Sequence, residues 1–148
     1  MFQKYQKDFA LLLESGFIAI NQTDADSAKK IFAACNVLKP NNAFGDIGFA
    51  FLYLHLLDLS KALTYCQNAL KKDSKNEMAN TIMGICKAMT LKQSPEGEKI
   101  LIEMAKSDNT FVKKSADIAL QFIDKFIKKA PSPVELAQPV KKGKEKRK

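Results

Sequence analysis

Gly16, Ala50 and Gly84 stand 34 residues apart, each a small residue inside an apolar stretch. Ala28 and Ala62 repeat the interval, and Gly97 takes the same role at a spacing of 35, which puts one extra residue in the preceding turn. Phe32, Cys66 and Leu101 follow that second small residue by four positions, and Cys35, Ala69 and Met104 follow it by seven. Each unit ends in turn formers: Leu38-Lys39-Pro40, Lys72-Asp73-Ser74 and Ser107-Asp108-Asn109. A self-similar unit of this length is a pair of short helices with a turn, and it buries its faces only by stacking on its neighbours. The small residues let the two helices of a pair approach, and the larger residue beside them fills the gap. The expected class is therefore all-α, with three stacked helix pairs.

The breakers agree with that division. Three of the five prolines, Pro131, Pro133 and Pro139, fall in the last 18 residues, so the first 130 favour helix throughout. Periodicity and caps predict helices near 3–21, 25–38, 42–57, 59–72, 76–91, 95–106 and 109–129. Asn41 or Asn42 caps the third, Ser74 to Glu77 has capping-box spacing before the fifth, and Ser94-Pro95 opens the sixth. On the last helix Phe111, Ala119, Phe122 and Phe126, with Val112, Ile118 and Ile123 between them, form an apolar face expected to cover the open end of the third pair. Lys113, Lys114, Asp117, Gln121, Asp124 and Lys125 mark the opposite side. The expected organisation is a helical repeat domain over 1–130 and a disordered basic tail over 131–148.

The net charge of +8 is concentrated at the end of the chain. Lys141, Lys142, Lys144, Lys146, Arg147 and Lys148 are accompanied there by one acid, Glu145, so the body is only mildly basic. No aromatics interleave with these cations, which argues against nucleic acid as a partner. A solubilising end is the favoured reading of the tail, with contact to an anionic membrane surface as the alternative. Cys35, Cys66 and Cys86 are odd in number and unpaired in spacing, as expected of small buried hydrophobes in a reducing cytoplasm rather than of disulfides or a zinc site. No secretory signal or membrane span is visible, and the expected location is cytoplasmic. His55 is the single histidine and every glycine stands alone, so neither a nucleophile–base pair nor a phosphate loop can be assembled. The expectation is a non-enzymatic chain with no metal and no cofactor.

The small, aromatic and proline positions resemble the tetratricopeptide repeat. Gly16, Ala28, Phe32 and Pro40 match its signature in the first copy, and Ala50, Tyr53, Ala62 and Ala69 in the second. The third copy departs, with Lys87 in place of an aromatic and Met104 in place of the last small residue. The resemblance covers residues 9 to 109 and implies a right-handed superhelical solenoid whose concave face is lined by the first helix of each pair. The concave positions it implies include Leu13, Phe17 and Ile20 in copy one, Phe44, Ile47, Phe51, Leu54 and His55 in copy two, and Met78, Ile85 and Met89 in copy three. These are mostly apolar, whereas a wall that met only water would be polar; an oily wall is a binding site or an aggregation hazard. Covering about 400 Å² of it is worth roughly 10 kcal/mol before association costs. Repeat modules that clamp a terminal carboxylate need Lys, Arg and Asn at sites where this chain has Leu13, Phe17, Gly48, Met78 and Ile82.

A narrower likeness runs from Leu12 to Leu70, which looks like the small helical-repeat chaperones of bacterial type III secretion systems, the needle-subunit chaperone group in particular. It implies a needle subunit held as a soluble monomer, together with a small co-chaperone. The basic tail and long last helix depart from the shortest members of that group. Two alternatives stay open at this point: a chaperone of pore-forming translocators, and a scaffold that homodimerises through the same face or fills it with its own closing helix.

Overall fold

The computed structural model describes residues 3–128. A 3-10 segment, Gln3–Asp8, leads into seven α-helices: α1 Phe9–Asn21, α2 Ala25–Leu38, α3 Phe44–His55, α4 Leu59–Lys72, α5 Glu77–Ala88, α6 Ser94–Met104 and α7 Thr110–Phe122. A π-helical turn, Ile123–Ile127, extends α7. Among the described residues there is no strand. The expected tail over 131–148 lies outside them, as does the end of the repeat domain.

The helices pair as the 34-residue period requires: α1 with α2, α3 with α4, and α5 with α6. The recurring small residues sit at the closest approaches. Phe32 is fully buried and its ring plugs a socket floored by two glycines; a Cβ on Gly16 would come within 2.5 Å of that ring, and one on Gly48 within 2.2 Å. In the third pair the backbones themselves touch, since a Cβ on Gly97 would lie 2.2 Å from the Ala88 nitrogen. Ala28, Ala62, Cys35, Cys66, Ala69 and Leu101 are all fully buried. Burial pushes the Cys66 thiol up to about 12 and the Cys86 thiol to about 11, so both stay protonated and behave as small apolar groups.

Three caps differ from the sequence expectation. The cap position of α3 is Ala43, with Asn42 Oδ1 accepting from the Phe44 amide beside it. Asn76, not Ser74, caps α5, its side chain accepting from the Ala79 amide. Ser94 lies inside α6, whose cap position is Gln93. The intra-repeat turns hold a feature the sequence did not signal. Thr23 and Leu57, 34 residues apart, both adopt the left-handed conformation, with φ of 61° and 58°. In each turn the next residue, Asp24 or Asp58, donates its amide back to the preceding helix, to Ala19 O and Tyr53 O, which is a Schellman closure. The same aspartates then cap the following helix by accepting from the Ser27 and Lys61 amides.

One charged group is buried between repeats. Asp46, in the first turn of α3, accepts from Asn36 Nδ2 at 3.1 Å, and Lys72 Nζ lies 2.6 Å from its other oxygen. That oxygen has no aligned hydrogen bond, so the Lys72 contact is chiefly coulombic. The pair ties α2, α3 and the end of α4 together.

Candidate partner-binding groove

The first helices form a continuous inner layer: α1 packs on α3, α3 on α5, and α5 on α7. No contact of that extent joins α2 to α4 or α4 to α6. In a curved stack the layer whose members lie closer is the inside, so α1, α3, α5 and α7 line the concave face.

A cleft of about 460 Å³ opens in this wall, lined by Phe17 and Asn21 of α1, Phe44, Ile47 and Phe51 of α3, Met78 and Ile82 of α5, and Phe111 of α7. Phe17 anchors it: its ring meets Phe32 at 5.4 Å and Phe51 at 5.7 Å, both edge to face. Those contacts tie the cleft to the first core cluster, where Phe49, Tyr53 and Tyr65 stack in turn. Rotamers braced this way present a rigid apolar surface. No charged side chain lines the cleft.

A second cleft of about 350 Å³ lies further along the wall between α5 and α7, with Ile85, Met89, Ile118 and Phe122 among its lining. The residues expected in the groove therefore divide. Phe17, Phe44, Ile47, Phe51 and Met78 converge on the first cleft, and Ile85 and Met89 line the second. Leu13 and Leu54 are half-buried against the core clusters and line neither. Ile20 is 1% exposed and lines neither cleft, so it belongs to the core; Ile47 is equally buried and Ile82 nearly so, and they back the first cleft from the core beneath it. His55 is exposed at the end of α3 and lines neither cleft.

The face of α7 also differs from expectation. Val112, Ala116 and Ile123 are the residues buried on the third pair. Phe111, Ile118, Phe122 and Phe126 are instead 59%, 67%, 47% and 55% exposed. The apolar arc of α7 is wider than one covering face. One half packs on α5 and α6 through small and aliphatic side chains, which leaves the bulky half outward. The sequence pattern merges the two halves and assigns Phe111 to the covering face, whereas it lines the groove beside Asn21 and Ile82, which repeat register does place on the concave side.

A wider apolar hollow of about 530 Å³ lies at the other end of the stack, with Leu11, Leu12, Val37 and Leu38 in its lining. It is built only from the first pair and the 3-10 segment, whereas the concave cleft joins four helices. Among the described residues no group of histidines, cysteines and carboxylates is arranged to hold a metal. None of the described helices is long and apolar enough to cross a membrane.

No protein-family model matches the sequence, and no curated protein matches it. Among solved structures the chain is similar to the TPR domain of Arabidopsis OM64, with a TM-score of 0.65 and 20% identity over 82% of this chain and 98% of that one. The fold is tetratricopeptide-like, an all-helical repeat stack.

Proposed function

We propose that the chain is a non-enzymatic binding module that holds an amphipathic helix of a second protein against its concave wall. The observation that carries this reading is the convergence of apolar side chains from three successive repeats, Phe17, Phe44, Phe51 and Met78 among them, on one uncharged cleft. Helix-in-groove recognition requires such a surface, since an occupant helix buries its apolar face there while its polar face stays in water.

The finer reading is a cytoplasmic type III secretion chaperone that keeps the needle subunit from polymerising early. It rests on the sequence likeness over Leu12 to Leu70. The small co-chaperone implied by that likeness has an apolar surface available at Leu11, Leu12, Val37 and Leu38, remote from the groove.

Co-expression with a type III needle subunit tests both levels. The wild-type chain should keep the subunit soluble and co-purify with it, and Phe51→Asp should abolish this. Phe44→Asp provides a variant that spares the fold, since Phe44 is exposed at the first position of α3, where an acid suits the helix dipole. Unchanged co-purification of both variants overturns the groove assignment. A wild-type chain that ignores the needle subunit but retains a pore-forming translocator keeps the groove and replaces the client.

A further inference from the structure

We infer that α7 is a second recognition wall, and that its occupant is an amphipathic helix whose apolar face is bordered by Asp or Glu. The inference rests on the groove reading above and adds the charge of the partner.

Phe111, Ser115, Ile118, Phe122 and Phe126 recur at intervals of four, three, four and four, which aligns them in one stripe along the helix. The stripe is continuous. Ser115, Ile118 and Phe122 share one cleft, and the Phe122 and Phe126 rings lie 5.0 Å apart. It is also joined to the groove, because Phe111 lines the central cleft together with Phe17 and Phe51. A helix lying along the concave face would meet both walls.

The stripe has one cationic edge. At 3.6 residues per turn Lys114 falls beside Ile118 on the side away from the buried face of α7, with Asp117 beyond it, and Lys125 follows in the π-helical turn. Lys125 Nζ sits 5.3 Å from the Phe126 ring centroid, directly over the stripe. Neither lysine forms an ion pair among the described residues, whereas Lys128 is paired with Glu98 and Asp124. Two unpaired cations beside an apolar stripe favour carboxylates on the facing helix. The same charges disfavour other occupants. The chain's own end carries six cations from Lys141 to Lys148, and antiparallel pairing of two copies would set lysine edge against lysine edge.

The test uses the full chain and two synthetic helical peptides with an identical leucine face, one bordered by Glu and the other by Lys. By fluorescence anisotropy the Glu-bordered peptide should bind about tenfold more tightly at low salt. The preference should shrink at about 0.5 M salt and disappear in the Lys114→Glu/Lys125→Glu variant. Ile118→Asp, at an exposed position, should weaken both peptides at least about tenfold without lowering the melting temperature. Equal affinity for the two peptides overturns the inference, and so does binding that Ile118→Asp leaves unchanged. Loss of binding in Phe44→Asp but not in Ile118→Asp keeps the central groove and removes the α7 wall; loss in neither removes the groove reading itself. A dimer in sedimentation that Ile118→Asp dissolves assigns the stripe to self-association and also overturns the inference.

Discussion

The first and third repeats close the same helix pair by different means. In the first, the Phe32 ring occupies a socket floored by Gly16 and Gly48, and the turn before α2 is a left-handed Thr23 followed by a capping Asp24. In the third, Leu101 stands where Phe32 stood, and the pair compensates by bringing Gly97 against the backbone of α5. Its turn has five residues against three and has neither the left-handed residue nor the aspartate; Lys87, in the column of Tyr53, reaches Glu96 instead. A smaller plug demands a closer backbone. The period survives because a small residue is kept at each crossing, although the side chain that fills the gap beside it changes from Phe32 to Cys66 to Leu101.

That contrast can be broken at four points, beginning with the largest effect. Phe32→Ala should empty the aromatic socket and cost about 3–5 kcal/mol in urea unfolding. A loss below about 1 kcal/mol would mean that the glycine floor collapses to fill the space. Gly97→Ala should cost about 1–3 kcal/mol, because its Cβ meets backbone that cannot move aside. Gly84→Ala is the control: its Cβ meets only Leu101 and Ile100 side chains, at 3.0–3.1 Å, so small shifts and the better helix propensity should leave stability nearly unchanged. Equal costs at the two glycines would refute the backbone-contact account of the third pair.

Leu57→Gly should raise stability by about 1 kcal/mol, since a β-carbon is unfavourable in the left-handed region and Leu57 is 70% exposed. The same substitution at Leu91, in the third turn, lacks that strain and should bring no gain. The smallest effect concerns acid. Hydrogen bonds from Ser27 and Lys61 hold the Asp24 and Asp58 carboxyls below their ordinary value. A depressed folded value means that the stabilisation is complete above the unfolded pKa and is lost as pH falls through the folded one. Asp24→Asn and Asp58→Asn retain a cap without that titration, so the double variant should lose less stability than wild type on acidification below about pH 4.

The repeat could be read from the sequence because spacing alone encodes it. Gly16, Ala50 and Gly84 must be small wherever the helices cross, and no tertiary knowledge is needed to see the interval. The division of α7 could not be read in this way. Its apolar arc is wide enough for two faces, and only the packing on α5 and α6 decides that Val112 and Ile123 go inward while Phe111, Ile118 and Phe122 stay out. Ile20 failed for a related reason. Concave positions were assigned by repeat register, and register does not distinguish the rim of a helix from its buried flank. The turns at Thr23 and Leu57 were hidden because neither residue type signals a left-handed backbone.

The proposed seat of the partner helix is the concave wall rather than the hollow at the first pair. Methyl NMR of the full chain during titration with the Glu-bordered peptide tests it directly. Shifts are expected at Ile47, Met78, Ile82 and Ile118, with Leu11, Leu12 and Val37 unmoved. Shifts confined to Leu11, Leu12, Val37 and Leu38, with the methyls of α3 and α5 silent, would contradict it.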